Sequence, residues 1–119
     1  MDIDSKNGLQ IYEYLVNHLE ELSDRDIVKV TERLSETDLS GQYLASASRY
    51  LNAVDCTRYA SAVEQMVGAV IDRDREHKYL PELVIALYGS DYEDRATELI
   101  ATDNNFRRLY KRLNPAHTL

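Results

Sequence analysis

Residues 57–77 read TRYASAVEQMVGAVIDRDREH, and this stretch decides the predicted fold. Its apolar side chains recur at intervals of three and four residues, which is the period of one face of an α-helix. The members of this face are Val63, Met66, Val67, Val70 and Ile71. A face of this width has to be buried against neighbours, so we expect a long central helix, Thr57–His77, against which the other helices pack.

Gly68 lies in the middle of this predicted helix, where a glycine costs about 1 kcal/mol relative to alanine. Because glycine has no side chain, it allows the backbone of another element to come close. We therefore expect a neighbouring helix to approach at Gly68, with Ala45 and Ala47 as its candidate partners.

The helical period recurs on both sides of this stretch. Further apolar stripes run over residues 9–22, 27–34, 43–54, 83–88, 92–100 and 106–113. Ser23 is placed to cap the second helix, and Ser90 with Glu93 has the spacing of a capping box. No alternating pattern of five or more residues indicates a strand. The sequence therefore predicts an all-α fold, a compact bundle of about six or seven short amphipathic helices.

The 119 residues are expected to form a single helical domain, 1–119, with flexible ends at 1–7 and 115–119. Hydrophobic residues make up 44% and charged residues 29%, which is typical of a globular domain. The single cysteine excludes an internal disulfide framework and a zinc site built from cysteines. No apolar run is long enough for a membrane span or a signal peptide, so we expect no membrane association and a cytoplasmic location.

Charge is unevenly distributed along the chain. The formal net charge is −7, and all 21 acidic residues lie at or before Asp103. The residues after Asp103 contain four basic side chains and no acidic one; the four are Arg107, Arg108, Lys111 and Arg112. Three interpretations stay open: a solvated face paired with acidic neighbours, a surface for an acidic partner, or a contact with nucleic acid. The acidic balance of the whole chain argues against nucleic acid as a partner.

Tyrosine is the dominant aromatic residue, with 9 Tyr, one Phe and no Trp. Tyrosine gives a large contact area at low entropic cost and is enriched in protein interfaces. Tyr14 falls outside the apolar stripe of the first helix, and Tyr79 stands just before a proline. We expect Tyr14 or Tyr79 to be substantially exposed, or to lie in a contact between chains. The candidate interaction surface is Tyr14, Tyr79, Arg107, Arg108, Lys111 and Arg112.

No catalytic, cofactor-binding or metal-ligating residue is predicted. Cys56 is the only thiol, no histidine stands near it in the sequence, and we expect it to be packed or half-buried. His18 and Glu21 are three residues apart, but a metal site needs further such pairs. The glycines are isolated, so no phosphate-binding loop is present.

Residues 12–26, YEYLVNHLEELSDRD, resemble the first two helices of death-fold modules, which are six-helix interaction domains. The resemblance consists of the pattern Leu-acid-acid-Leu-Ser-acid between two amphipathic helices. It covers under a third of the chain, and residues beyond Leu34 do not match, so no family is assigned from it.

These observations favour a small, acidic, non-enzymatic module for protein–protein interaction or regulation. Its expected partner is another protein or a second copy of the chain in a homodimer. The alternative is a DNA-associated transcriptional regulator that uses the three predicted helices of residues 80–113. An enzyme whose site the sequence does not reveal is the third hypothesis.

Overall fold

The computed structural model describes residues 6–115, which form a bundle of seven α-helices without any strand. The helices are α1 (Gly8–His18), α2 (Asp24–Thr37), α3 (Gln42–Asp55), α4 (Ala60–Arg73), α5 (Leu80–Tyr88), α6 (Ala96–Thr102) and α7 (Asn104–Leu113). Short 3₁₀ turns at Leu19–Glu21 and Tyr92–Arg95 follow α1 and precede α6. The predicted all-α bundle is therefore confirmed.

Side-chain caps set the first two helix starts. The Ser23 hydroxyl accepts the Asp26 N–H at 3.1 Å, and the Asp26 carboxylate accepts the Ser23 N–H at 3.0 Å. The hydrogen bond that the Asp26 carboxylate accepts from the Ser23 N–H is the main cause that lowers the pKa of Asp26. Asn7 caps α1 in the same reciprocal way with Gln10. Asn7 belongs to the end predicted to be flexible, whereas most of that prediction, residues 1–5 and 116–119, lies outside the described residues.

The core consists of two connected clusters. The larger cluster joins α1 to α5, and its centre is the contact between α3 and α4, where Leu44, Ala47 and Met66 are fully buried. The smaller cluster surrounds Phe106 of α7, whose ring lies 5.0 Å from that of Tyr88, centroid to centroid. Leu109, also on α7, belongs to the larger cluster. One face of α7 is thereby buried against both clusters, which fixes the orientation of the opposite face.

The predicted central helix Thr57–His77 is wrong at both ends. At its start the Asp55 carboxylate accepts the Arg58 N–H at 3.0 Å in a turn, and α4 begins only at Ala60. At its end the chain leaves the helix after Arg73 because the buried Asp74 carboxylate accepts three backbone N–H groups further along the chain. The α4 helix is therefore 14 residues long, as are α2 and α3.

Other local predictions are also corrected. A methyl group at Gly68 would have Arg108 and Asn105 of α7 as nearest neighbours, each 3.8 Å away, so the helix approaching Gly68 is α7 and not the Ala45–Ala47 region of α3. The predicted capping box of Ser90 and Glu93 does not form, because the 3₁₀ turn begins at Tyr92 without a side-chain cap.

Three members of the predicted apolar stripes point outward. They are Leu9, Val28 and Val54, which are 45%, 54% and 52% exposed. Each of these side chains stands at the edge of an amphipathic face, where the helical period alone does not decide between burial and exposure. None of the helices within residues 6–115 has the length and apolarity to cross a lipid bilayer.

Candidate functional site

The last helix presents all four of its basic side chains on one side. Asp103 starts α7 by accepting the Phe106 N–H at 3.0 Å with one carboxylate oxygen, while its other oxygen accepts the Tyr88 hydroxyl at 3.0 Å. Burial of Phe106 and Leu109 then fixes the rotation of the helix. We call the opposite side the basic face; it consists of Arg107, Arg108, Lys111 and Arg112.

The four cations of the basic face have different surroundings. The Arg108 guanidinium forms an ion pair with Asp72 of α4. The Arg107 guanidinium donates a hydrogen bond of 2.5 Å to the Asn104 side-chain oxygen. Within residues 6–115, no carboxylate lies within ion-pair distance of Arg107, Lys111 or Arg112. Pairing with acidic neighbours therefore accounts for one of the four charges and leaves three without an ion-pair partner within residues 6–115.

A cleft of about 520 Å³ lies between the basic face and the chain segment that follows α4. We call it the basic cleft; its lining residues are Ile71, His77, Arg108, Lys111, Arg112 and Pro115. Ile71 is only 1% exposed and belongs to the core, whereas Lys111 and Pro115 are exposed at the surface. The volume is in the range of small ligand sites, and the lining combines an apolar floor with cationic walls.

His77 reaches the basic cleft through an unusual backbone conformation. Its φ of 57° is in the left-handed region, which L-residues with a side chain rarely adopt. The Asp74 carboxylate holds the chain on the far side of His77 by accepting the Lys78, Tyr79 and Leu80 N–H groups at 2.8, 2.7 and 3.0 Å. His77 is absent from the predicted interaction surface, and the helical period contains no signal for it because the turn depends on these hydrogen bonds.

The two predicted surface tyrosines are half-buried, so neither is substantially exposed or fully buried. The Tyr14 ring lies 4.5 Å from the His18 ring on α1, which packs against α2 and α3. Tyr79 packs against the larger core cluster, in the segment that also carries His77. Since α7 packs against α4, α5 and α6, the structure places Tyr14 apart from the basic face. Whether either tyrosine lies in a contact between chains stays a prediction.

A second cavity, of about 380 Å³, lies where the ends of α3 to α7 meet. Cys56 is at its rim and is exposed, so the prediction of a packed or half-buried thiol is wrong. The lining includes the carboxylates of Glu64 and Asp103 but no histidine, and both Asp103 oxygens already accept hydrogen bonds. Burial, together with the adjacent Asp103 carboxylate, raises the pKa of the Tyr88 phenol.

No group of three or more potential metal ligands converges anywhere in the described part of the chain. The chain matches no known protein family, no curated protein and no solved structure.

Proposed function

We propose that this protein is a non-enzymatic interaction module that binds an acidic surface of another protein, or of a second copy of itself, through the basic face of α7. The observation that carries the proposal is the set of three cations, on Arg107, Lys111 and Arg112, that have no ion-pair partner within residues 6–115. They stand on a helix whose other side is firmly anchored by Phe106 and Leu109.

The charge distribution supports an acidic protein partner. Cationic groups at the rim of an interface speed association with an acidic surface and discriminate against basic ones. Three unpaired cations on a rigid helix lose less entropy on binding than cations on a mobile segment. The remainder of the chain carries an excess of acidic residues, so a second copy also offers acidic surface to this helix.

The test measures, by fluorescence anisotropy, how tightly the protein binds a fluorescein-labelled peptide of alternating glutamate and leucine. The double variant Arg107→Glu with Lys111→Glu should bind the peptide at least about tenfold more weakly than the unaltered protein. The matched control is Arg25→Glu with Lys29→Glu, the same pair of residue types at the same spacing on the exposed side of α2. The control should change the affinity by less than about threefold, since its charges lie on another helix.

Self-association is measured on the same variants by sedimentation velocity at low and high salt. A dimer that depends on the basic face should be lost in the Arg107→Glu/Lys111→Glu variant and weakened by salt. If both double variants bind the acidic peptide and self-associate as the unaltered protein does, the basic face is not an interaction surface and the proposal fails.

The alternative, a DNA-associated regulator, rests on the same helix and on the three-helix arrangement of α5, α6 and α7. A labelled DNA duplex in the anisotropy assay separates the two functions. Only Asp103 separates α6 from α7, whereas a helix-turn-helix needs a turn of several residues between its helices. The DNA function would be favoured if the unaltered protein bound the duplex tightly but did not bind the acidic peptide. The Arg107→Glu/Lys111→Glu variant should then lose the binding of the duplex.

A further inference from the structure

The side chains that line the basic cleft carry more positive charge than one bound carboxylate would neutralise. Asp72 pairs with Arg108, which leaves Lys111 and Arg112 as the lining cations without an ion-pair partner within residues 6–115, and His77 lines the same cavity. The nearby acidic groups are engaged elsewhere: Asp74 is buried beneath three backbone N–H groups, and Glu76 pairs with Lys78. The lining therefore keeps a net charge of about +2 that no carboxylate within residues 6–115 pairs with.

The donors come from two sides of the cleft. Arg112 and Lys111 stand on α7, and His77 stands on the segment after α4, across the cavity. A carboxylate has two coplanar oxygens and a charge of −1, so it leaves one of the cations uncompensated. A phosphate monoester has three acceptor oxygens and a charge of about −1.5 to −2, which matches the charge of the two cations and offers one oxygen to each of the three lining side chains.

From this arrangement we infer that the basic cleft binds a phosphate monoester carried by a segment of the partner protein, with the phosphate between Lys111, Arg112 and His77. The inference rests on the proposed interaction function and specifies the chemical group that the partner presents. Pro115 at the rim provides apolar contact for the carrying segment. Arg108 is held in place by Asp72 and extends over Gly68, so it forms one wall of the cleft.

The test compares the acidic peptide in two forms, one with a central serine and one with phosphoserine at that position, by isothermal titration calorimetry. We expect the phosphate to increase the affinity of the unaltered protein at least about tenfold. In Lys111→Met and in Arg112→Met this gain should fall to about twofold or less, because each variant removes one charge from the cleft. Arg107→Met is the matched control, since Arg107 is on the same helix but does not line the cleft, and it should retain the full gain. Circular dichroism checks that the three variants keep the same helix content.

The possible results of this experiment distinguish a failure of the phosphate site from a failure of the proposed interaction function. Equal binding of the two peptides by the unaltered protein refutes the phosphate site but leaves the interaction with acidic partners intact. No binding of either peptide overturns both. An equal loss of the phosphate gain in Arg107→Met and Lys111→Met shows that the phosphate does not lie in the cleft and also refutes the inference. If free phosphoserine displaces the bound peptide at the same concentration as the phosphopeptide does, the claim that a protein segment carries the phosphate is contradicted.

Discussion

Replacement of Asp74 with asparagine should destabilise the protein strongly. The Asp74 carboxylate is 3% exposed and accepts the Lys78, Tyr79 and Leu80 N–H groups at 2.8, 2.7 and 3.0 Å. Asparagine has the same shape but only one acceptor oxygen, so its amide nitrogen faces at least one backbone N–H that then has no acceptor.

The magnitude follows from these three hydrogen bonds. One N–H left without an acceptor costs about 1–3 kcal/mol, and the two remaining bonds lose the contribution of the charge. We therefore expect the free energy of unfolding to fall by about 2–4 kcal/mol in Asp74→Asn. For a chain of this size the corresponding decrease in Tm is about 8–16 °C, at about 4 °C per kcal/mol.

Asp38→Asn is the internal comparison for this prediction. Asp38 is also buried, at 4% exposed, but only one of its oxygens accepts a backbone N–H, that of Leu44 at 2.7 Å. The other oxygen accepts the Ser40 hydroxyl at 3.2 Å, and a hydroxyl can accept a hydrogen bond from an amide instead. Asp38→Asn should therefore cost about 1 kcal/mol.

Urea denaturation monitored by circular dichroism measures all of these variants, with Asp91→Asn as an exposed control that should change stability by less than about 0.5 kcal/mol. An Asp74→Asn variant as stable as the unaltered protein would contradict this expectation, and so would an Asp38→Asn variant that is the more destabilised of the two.

Three further predictions concern stability and titration. Gly68→Ala should raise the free energy of unfolding by up to about 1 kcal/mol in urea denaturation, because the nearest atoms lie 3.8 Å from the new methyl group; a loss of stability would contradict this. His77→Gly should stabilise by about 0.5–1 kcal/mol, because φ of 57° suits glycine, and a destabilised variant would show that the turn does not require this conformation. Burial and the adjacent Asp103 raise the pKa of Tyr88, and burial and Glu93 raise the pKa of Tyr92, so absorbance titration should find two tyrosines that ionise after the rest, and the last of them should be missing in Tyr88→Phe. The contribution of Tyr88 to stability is fully present below about pH 10 and is lost as the pH rises through the higher pKa of the folded state.

The sequence predicts the parts of this fold that depend on neighbouring residues. The apolar face of residues 63–71 and the cap at Ser23 are local patterns, and both appear in the structure as expected. Aspartate also favours the N-cap position, and Asp103 caps α7 in the structure. Helix period and capping preference act over a few residues, which is why sequence reasoning finds them.

The features that escaped prediction depend on hydrogen bonds outside the helical repeat or on packing between helices. Helix α4 ends at Arg73 because Asp74 binds backbone groups up to six residues away, although the residues beyond it retain a helix-like charge pattern. The neighbour of Gly68 is α7, about forty residues further along the chain, which no local pattern identifies. In the candidate site, the basic face could be predicted because its four basic residues are visible in the sequence. The cleft could not, because it depends on where the turn after α4 places His77.

The most direct test of the central claim is a map of amide chemical-shift changes in ¹⁵N-labelled protein during titration with the phosphoserine peptide. We expect the changes to concentrate on His77 and on residues 107–113, with the largest at Lys111 and Arg112. Changes centred on α1 and α2, or on the cavity beside Cys56, would show that the partner binds elsewhere and would contradict the assignment of α7 as the interaction surface.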